Sequence, residues 1–284
     1  MLRAAARAPD RLRERRDRIA TFVRGLLRPD GAFRDRRGNG DLYYTLFGIE
    51  CLAALAAELP VEPLTACLRR FGEGESLDLV HLACLARCWS AVGGRAPREP
   101  ILRRIASHRR DDGGFAGSPA SAHGSAYASF LALGAYQDLG EALPDPDGLA
   151  RCASSLRTAD GGYANEPGAP VGLTPAAAAA VTVLQQLRRP IDPAMADWLV
   201  DRHRPDGGFV AAPPVPLPDL LSTATALHAL SAMGVPLAGL AGPCEAFIES
   251  LWDDRGGFRG HAADDEPDCE YTFYGLLALG HLIG

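Results

Sequence analysis

The chain has 284 residues, of which 47% are hydrophobic and 23% charged, and its formal net charge is −6. That composition excludes a disordered or fibrous chain, and the length suffices for one large domain or two small ones with a full core. All 29 basic residues are arginine, which removes lysine Schiff bases and the phosphate-loop lysine, and the acidic balance leaves no basic field to grip nucleic acid.

In chain order, the first segment is arginine-rich: residues 3–18 hold seven arginines against three acids. It reads as an N-terminal helix or arm over 1–18, ahead of a single domain over 19–284. Its arginines make either a solvated helix face or a docking surface for a partner or an anionic membrane. No apolar stretch follows them, so the segment is not a signal peptide, and no apolar run is long enough for a transmembrane segment. Seven scattered cysteines (51, 67, 84, 88, 152, 244 and 269) form no C-x-x-C pair. They are expected as reduced core thiols, which places the protein in the cytoplasm.

A repeat then runs through the chain. PDGAF (29–33), DDGGF (111–115), ADGGY (159–163), PDGGF (205–209) and DRGGF (254–258) put an aromatic at 33, 115, 163, 209 and 258, with gaps of 82, 48, 46 and 49. The double-length first gap contains a degenerate copy, FGEGESLDLVHLACLARCW (71–89), giving six repeats. Each has an amphipathic lead-in such as CASSLRT (152–158) or MADWLVDRH (195–203), then a glycine turn whose aromatic packs back onto the helices. A loop follows, and then an almost wholly apolar helix: YTLFGIECLAAL (44–55), AYASFLALGAY (126–136), PAAAAAVTVLQQL (175–187), STATALHALSAMG (222–234) and YTFYGLLALGHL (271–282). Amphipathic helices belong outside and apolar ones inside, and alternating β-branched runs are nearly absent. The first and last inner helices, DLYYTLFGIECLAAL and DCEYTFYGLLALGHL, are the most alike. That favours an all-α, closed (α/α)6 toroid of six helical hairpins over an open solenoid.

The glycine turns and the phrases DLYYTLFGIECL, DCEYTFYGLLAL and DDGGFAGSPASAHGSAYASFLAL resemble the prenyltransferase/squalene-cyclase repeat family, and among its members the β subunits of protein prenyltransferases, over about residues 20–284. The resemblance implies a six-hairpin barrel whose apolar central funnel holds a farnesyl or geranylgeranyl chain.

Aligned on the inner helices, Asp41, Asp78, Asp219 and Asp268 share one column with Ala122 and Leu173. An aspartate just before a helix reads as an N-cap. Three residues on stand Tyr44, His81, Ser125, Ala176, Ser222 and Tyr271, expected to ring the funnel mouth. The resemblance implies zinc ligands from an Asp-x-Cys before the fifth inner helix and a His opening the sixth. Asp219 matches, but Leu221 and Tyr271 stand at the other two places, so zinc is not expected. A rebuilt set from Asp219, Cys269 and His261 is the alternative. The His–Arg diphosphate grip is replaced by Ala164–Glu166 and Thr174, leaving Arg204 and Arg259 as stand-ins or surface residues. DDEPD (264–268) has the form of a Mg²⁺–diphosphate motif but is interrupted by Pro267, and reads as a solvated acidic loop. The Asp-x-Asp-Asp string of protonation-type cyclases is absent. His123, in the loop before the third inner helix, either bonds a polar substrate group or braces its loop. His228 reads as a satisfied core residue.

Three functions follow: a prenyl-chain enzyme transferring or cyclising an isoprenoid diphosphate, a non-catalytic isoprenoid or lipid binder, and a protein-interaction toroid. The enzyme reading assigns catalytic roles to His123, Asp219, Asp268 and Tyr271. It assigns substrate binding to Tyr44, His81, Tyr127, Ser125, Ser222 and Cys269. It names no protein metal ligand, leaves Mg²⁺ open as a cofactor, and finds no mark of an α-subunit partner.

Overall fold

The computed structural model describes residues 1–12 and 14–283; Arg13, one of the seven N-terminal arginines, lies outside them, as does Gly284. Helices dominate: α1 (Leu2–Ala5), α2 (Pro9–Leu12), α3 (Arg15–Gly25), α4 (Leu42–Ala54), α5 (Val61–Arg69), α6 (Leu79–Val92), α7 (Arg98–Ser107), α8 (Ala126–Asp138), α9 (Pro146–Ser155), α10 (Thr174–Gln186), α11 (Ala194–Val200), α12 (Leu220–Ala232), α13 (Ala238–Ser250) and α14 (Cys269–His281). The two short strands β1 (Phe33–Arg34) and β2 (Gly40–Asp41) pair antiparallel, with Phe33 opposite Asp41. From α3 onward, outer and inner helices alternate as the repeat predicts. The expected thiols are free and all seven are buried.

One local grammar builds five of the repeats. The turn places a glycine at positive φ two residues before the aromatic, as at Gly113 (89°) and Gly207 (97°), a conformation that other residues adopt only with strain. The aromatic is then driven inward: Phe33, Phe115, Phe209 and Phe258 are essentially fully buried, each burial stabilising by about 2–3 kcal/mol. In four of the five its N–H donates to a hydroxyl four residues after the cap of the next inner helix, Thr45 (2.9 Å), Ser129 (3.1 Å), Thr223 (2.9 Å) and Thr272 (3.2 Å), while the fourth repeat has Ala177 at that position. The carbonyl of the aromatic accepts from the cap residue itself, as in Ser125 N–H to Phe115 (2.8 Å) and Asp219 N–H to Phe209 (3.1 Å). Seven residues after the cap the side chain must be small. Gly48 and Gly275 lie so close to the rings of Phe33 and Phe258 that a Cβ would come within 2.5 and 2.7 Å.

The second repeat breaks this grammar consistently. It lacks the aromatic, and Leu82 and Leu85 stand at the hydroxyl and small positions, fully buried against the Gly74 turn. The aspartate caps are as expected: Asp41, Asp78, Asp219 and Asp268 accept from the N–H of Tyr44, His81, Ser222 and Tyr271. The third repeat corrects the sequence alignment. Ser125, not Ala122, is the cap, accepting from Ala128 N–H at 3.1 Å. Its register is therefore shifted by three, because a serine caps as well as an aspartate and hides the column.

The chain forms two compact units, Met1–Pro60 with Ala196–Gly284, and Val61–Met195. In the first, α4 packs on α14, with the Phe47 ring 5.7 Å from Phe273 and 5.5 Å from Tyr274. The first inner helix thus meets the last, as expected for a closed ring and not for an open solenoid. The arginine-rich segment also packs here, and α3 runs through the expected boundary at residue 18. Arg16 donates to the Leu55 carbonyl at the end of α4 (3.0 and 2.7 Å), and Arg11 to the Leu282 carbonyl after α14 (3.3 Å), where cations suit the helix dipole. Arg11 and Arg15 also pair with Glu245 and Glu249 of α13. In the second unit, α6, α8 and α10 pack in sequence behind α5, α7 and α9.

Candidate functional site

Within the first unit, the N-terminal ends of α4, α12 and α14 gather a polar cluster. The cap at Asp268 fixes the start of α14, so Glu270 and Tyr271 follow on its first turn. Asp41 does the same for Tyr43 and Tyr44 on α4. The Tyr43 hydroxyl donates to Glu270 Oε1 at 2.7 Å. Burial, reinforced by Asp268, pushes the Glu270 carboxyl up to about 7 against the bond from Tyr43, so it is partly protonated near neutrality. Burial, with Glu270 and Asp268 adding to it, also raises the two phenols, Tyr271 to about 12 and Tyr44 further.

Arg36, on the β1–β2 loop, holds the acidic loop in place. Its guanidinium forks onto Asp264 (2.9 and 2.8 Å), its Nε donates to Asp268 (2.6 Å), and it lies 5.3 Å over the Tyr271 ring. Burial alone would raise Asp264, but Arg36 and the N–H groups of Gly260 and Glu266 outweigh it and bring it to about 2. DDEPD is therefore not a solvated acidic loop. Asp268 is buried and both its ends are engaged, while Asp265 and Glu266 stay exposed. Pro267 leaves the loop free to fold back onto Arg36 instead of continuing as a helix.

The other expected residues separate into groups. Asp219 caps α12 and its two oxygens accept from Ser222 N–H and Ser222 Oγ–H, each at 2.7 Å, so both side chains satisfy one another. Cys269 is fully buried beside Cys51, whose thiol donates to its carbonyl at 3.4 Å, and burial raises its thiol well above the ordinary range. In the second unit, the His81 ring bonds its own cap Asp78 at 2.7 Å. His123, Ser125 and Tyr127 line one open groove of about 520 Å³ with Asn165, which accepts from Tyr127 N–H at 3.0 Å. The His123 side chain is 62% exposed, 3.8 Å from an Asp112 that already ties Gly114 and Gly124. Asp112, rather than His123, therefore ties this loop. Arg204 bonds the Pro213 carbonyl, and Arg259 bonds the carbonyls of Ser250, at the end of α13, and of Asp264. His228 of α12 is satisfied by His281 of α14, its Nδ1 2.9 Å from Nε2.

The family's metals can be tested on these donors. Of the zinc positions, Asp219 is spent on Ser222, Leu221 has no donor atom, and Tyr271 is a phenol held protonated. The alternative set does not assemble: Cys269 is fully buried beside Cys51, and Asp219 is bonded to Ser222. Among the described residues, no three His, Cys, Asp or Glu side chains converge to hold a metal. Asp264 and Asp268 are spent on Arg36, so they do not fit a Mg²⁺–diphosphate either.

Arg36 and Tyr43 are the residues that sequence reading missed. Arg36 contacts partners 228 and 232 positions away, and no local pattern marks it. Tyr43 had a usable signal: it and Glu270 both stand two residues after their caps, and they meet.

The sequence profile of the prenyltransferase alpha-alpha toroid domain matches residues 2–210 and 177–283. The fold is similar to that of Candida albicans protein geranylgeranyltransferase-I, solved in complex with GGPP (TM-score 0.69, 14% identity, covering 94% of this chain and 90% of that one). It is also similar to the type II terpene cyclase MstE from Scytonema. A variant in complex with the substrate geranylgeranyl dihydroxybenzoate gives a TM-score of 0.65 at 14% identity, covering 97% of each chain. The apo enzyme gives 0.65 at 14% identity, covering 99% and 98%. No curated protein matches the chain. With the profile spanning nearly its whole length, the chain belongs to the prenyltransferase alpha-alpha toroid family.

Proposed function

We propose that the protein holds an isoprenoid chain and acts on its functionalised end, as a prenyltransferase- or terpenoid-cyclase-like enzyme. One observation carries the reading. The polar groups Tyr43, Tyr44, Glu270 and Tyr271 open the same two helices, α4 and α14, whose next turn supplies the aromatic wall of Phe47, Phe273 and Tyr274. An apolar wall with a few convergent polar groups at one end suits a long hydrocarbon with one polar end. The similar structures in complex with GGPP and with geranylgeranyl dihydroxybenzoate support an isoprenoid as the ligand class. In this reading Glu270, titrating near neutrality, gives or takes the proton at the functional end, and Tyr43 holds its carboxylate between turnovers. Tyr271 and Tyr44 orient the same end.

The second reading, binding without turnover, draws on the fact that Asp219 and Asp268 are already committed to structural bonds. Incubating the chain with geranylgeranyl compounds and following both the complex, by native mass spectrometry, and the organic products separates them. Complex with a new product that Glu270→Gln abolishes supports the enzyme; complex without product supports the binder; no complex defeats both.

A further inference from the structure

The cluster opening α4 and α14 has a definite charge pattern. Arg36 is the cation packed over the Tyr271 ring, while Asp268 and Glu270 bear on both phenols, with Asp41 adding at Tyr44 and Asp219 at Tyr271. Four of the five N–H groups of that guanidinium are engaged. Two of its N–H groups fork onto Asp264 and a third bonds Asp268, while one of the forking nitrogens also reaches the Glu266 carbonyl at 3.2 Å. A diphosphate entering here would have to displace two carboxylates from Arg36 and would face Glu270 and the displaced acids.

The neutral polar atoms are, by contrast, open to a ligand. Among the described residues the hydroxyls of Tyr44 and Tyr271 make no hydrogen bond, and Glu270 uses only Oε1, in its bond to Tyr43. The two phenols stay protonated and so remain donors, and Glu270 Oε2 can accept, or donate when the acid is protonated. Two hydroxyls and a carboxyl oxygen on the first turns of α4 and α14 suit a partner that both donates and accepts: an alcohol or phenol.

Resting on the isoprenoid reading above, we propose that the isoprenoid end bound by Tyr44, Glu270 and Tyr271 is an uncharged hydroxyl, alcoholic or phenolic, and that the Arg36–Asp264–Asp268 knot excludes a diphosphate from this place. Asp264 is then a specificity-determining residue that acts through Arg36.

The test measures binding of geranylgeraniol and of geranylgeranyl diphosphate to the full chain at pH 7.5, at low and at high NaCl, and repeats it with Asp264→Asn. The expected result is that the alcohol binds at least roughly tenfold more tightly, and that diphosphate affinity rises with salt as the repulsion is screened. In Asp264→Asn, which frees one side of Arg36, the ratio of diphosphate to alcohol affinity should rise at least about fivefold. A diphosphate that binds the native chain more tightly than the alcohol, and loses affinity as salt is added, would overturn the inference while leaving the isoprenoid reading intact. Binding of neither ligand would overturn both. The salt series on the native chain discriminates between these outcomes even if the variant fails to fold.

Discussion

Replacing Glu270 by glutamine should make the protein more stable at pH 8 and leave it nearly unchanged at pH 5. The carboxyl is raised from 4.5 to about 7 by burial and by Asp268. A raised acid favours the folded state only while it is protonated: that contribution is complete below pH 4.5 and is lost as pH rises through 7. A rise from 4.5 to about 7 corresponds to about 3 kcal/mol, and partial exposure of the side chain reduces this to about 2 kcal/mol at pH 8. Glutamine keeps the shape, and its Oε1 still accepts from Tyr43, so it avoids the buried charge without opening a cavity. In a chain of this size the gain is about 5 °C in Tm. Thermal unfolding followed by circular dichroism at pH 5 and pH 8 reads it directly. An equal difference at the two pH values, or a less stable variant at pH 8, would refute the placement of Glu270 in a desolvated acidic cluster.

Three further outcomes follow from the repeat and its helix ends. Gly207→Ala should destabilise by about 2–4 kcal/mol in urea unfolding, because φ is 97° and the new Cβ would meet the Pro243 carbonyl oxygen at 1.8 Å. Thr223→Val should cost about 1–3 kcal/mol by stranding the buried Phe209 N–H, and Thr223→Ser should restore most of it; equal losses in the two variants would disprove the hydrogen-bond explanation. Burial pushes His228 down to about 3 and His281 to about 4, with His281 adding to the effect on His228. The stability they contribute is present above about pH 6.5 and is lost as pH falls, so His228→Gln should flatten the decline in Tm between pH 6.5 and 4.5.

Much of the fold is legible because the determinants are short-range. The glycine turn, the cap, the hydroxyl four residues on and the small residue seven on lie within about two dozen positions of one another, and each leaves a letter in the sequence. The third repeat misleads for the same reason: Ser125 caps α8 without spelling aspartate, so an alignment anchored on aspartates slips by three. The site is less legible. Arg36 touches Asp264 and Asp268 only because the first and last inner helices meet, and the charged letters of DDEPD look alike whether solvated or locked to a guanidinium. Cys269 reads as a residue near the helix start, but the first helical position turns it inward against Cys51.

Photo-crosslinking tests most directly whether a hydrocarbon lies along α4 and α14. A geranylgeranyl alcohol carrying a diazirine in its chain, irradiated with the full protein and mapped by peptide mass spectrometry, should label the segments around Phe47 and around Phe273–Tyr274, with labelling competed away by excess geranylgeraniol. Labelling confined to other segments, or undiminished by the competitor, would contradict it.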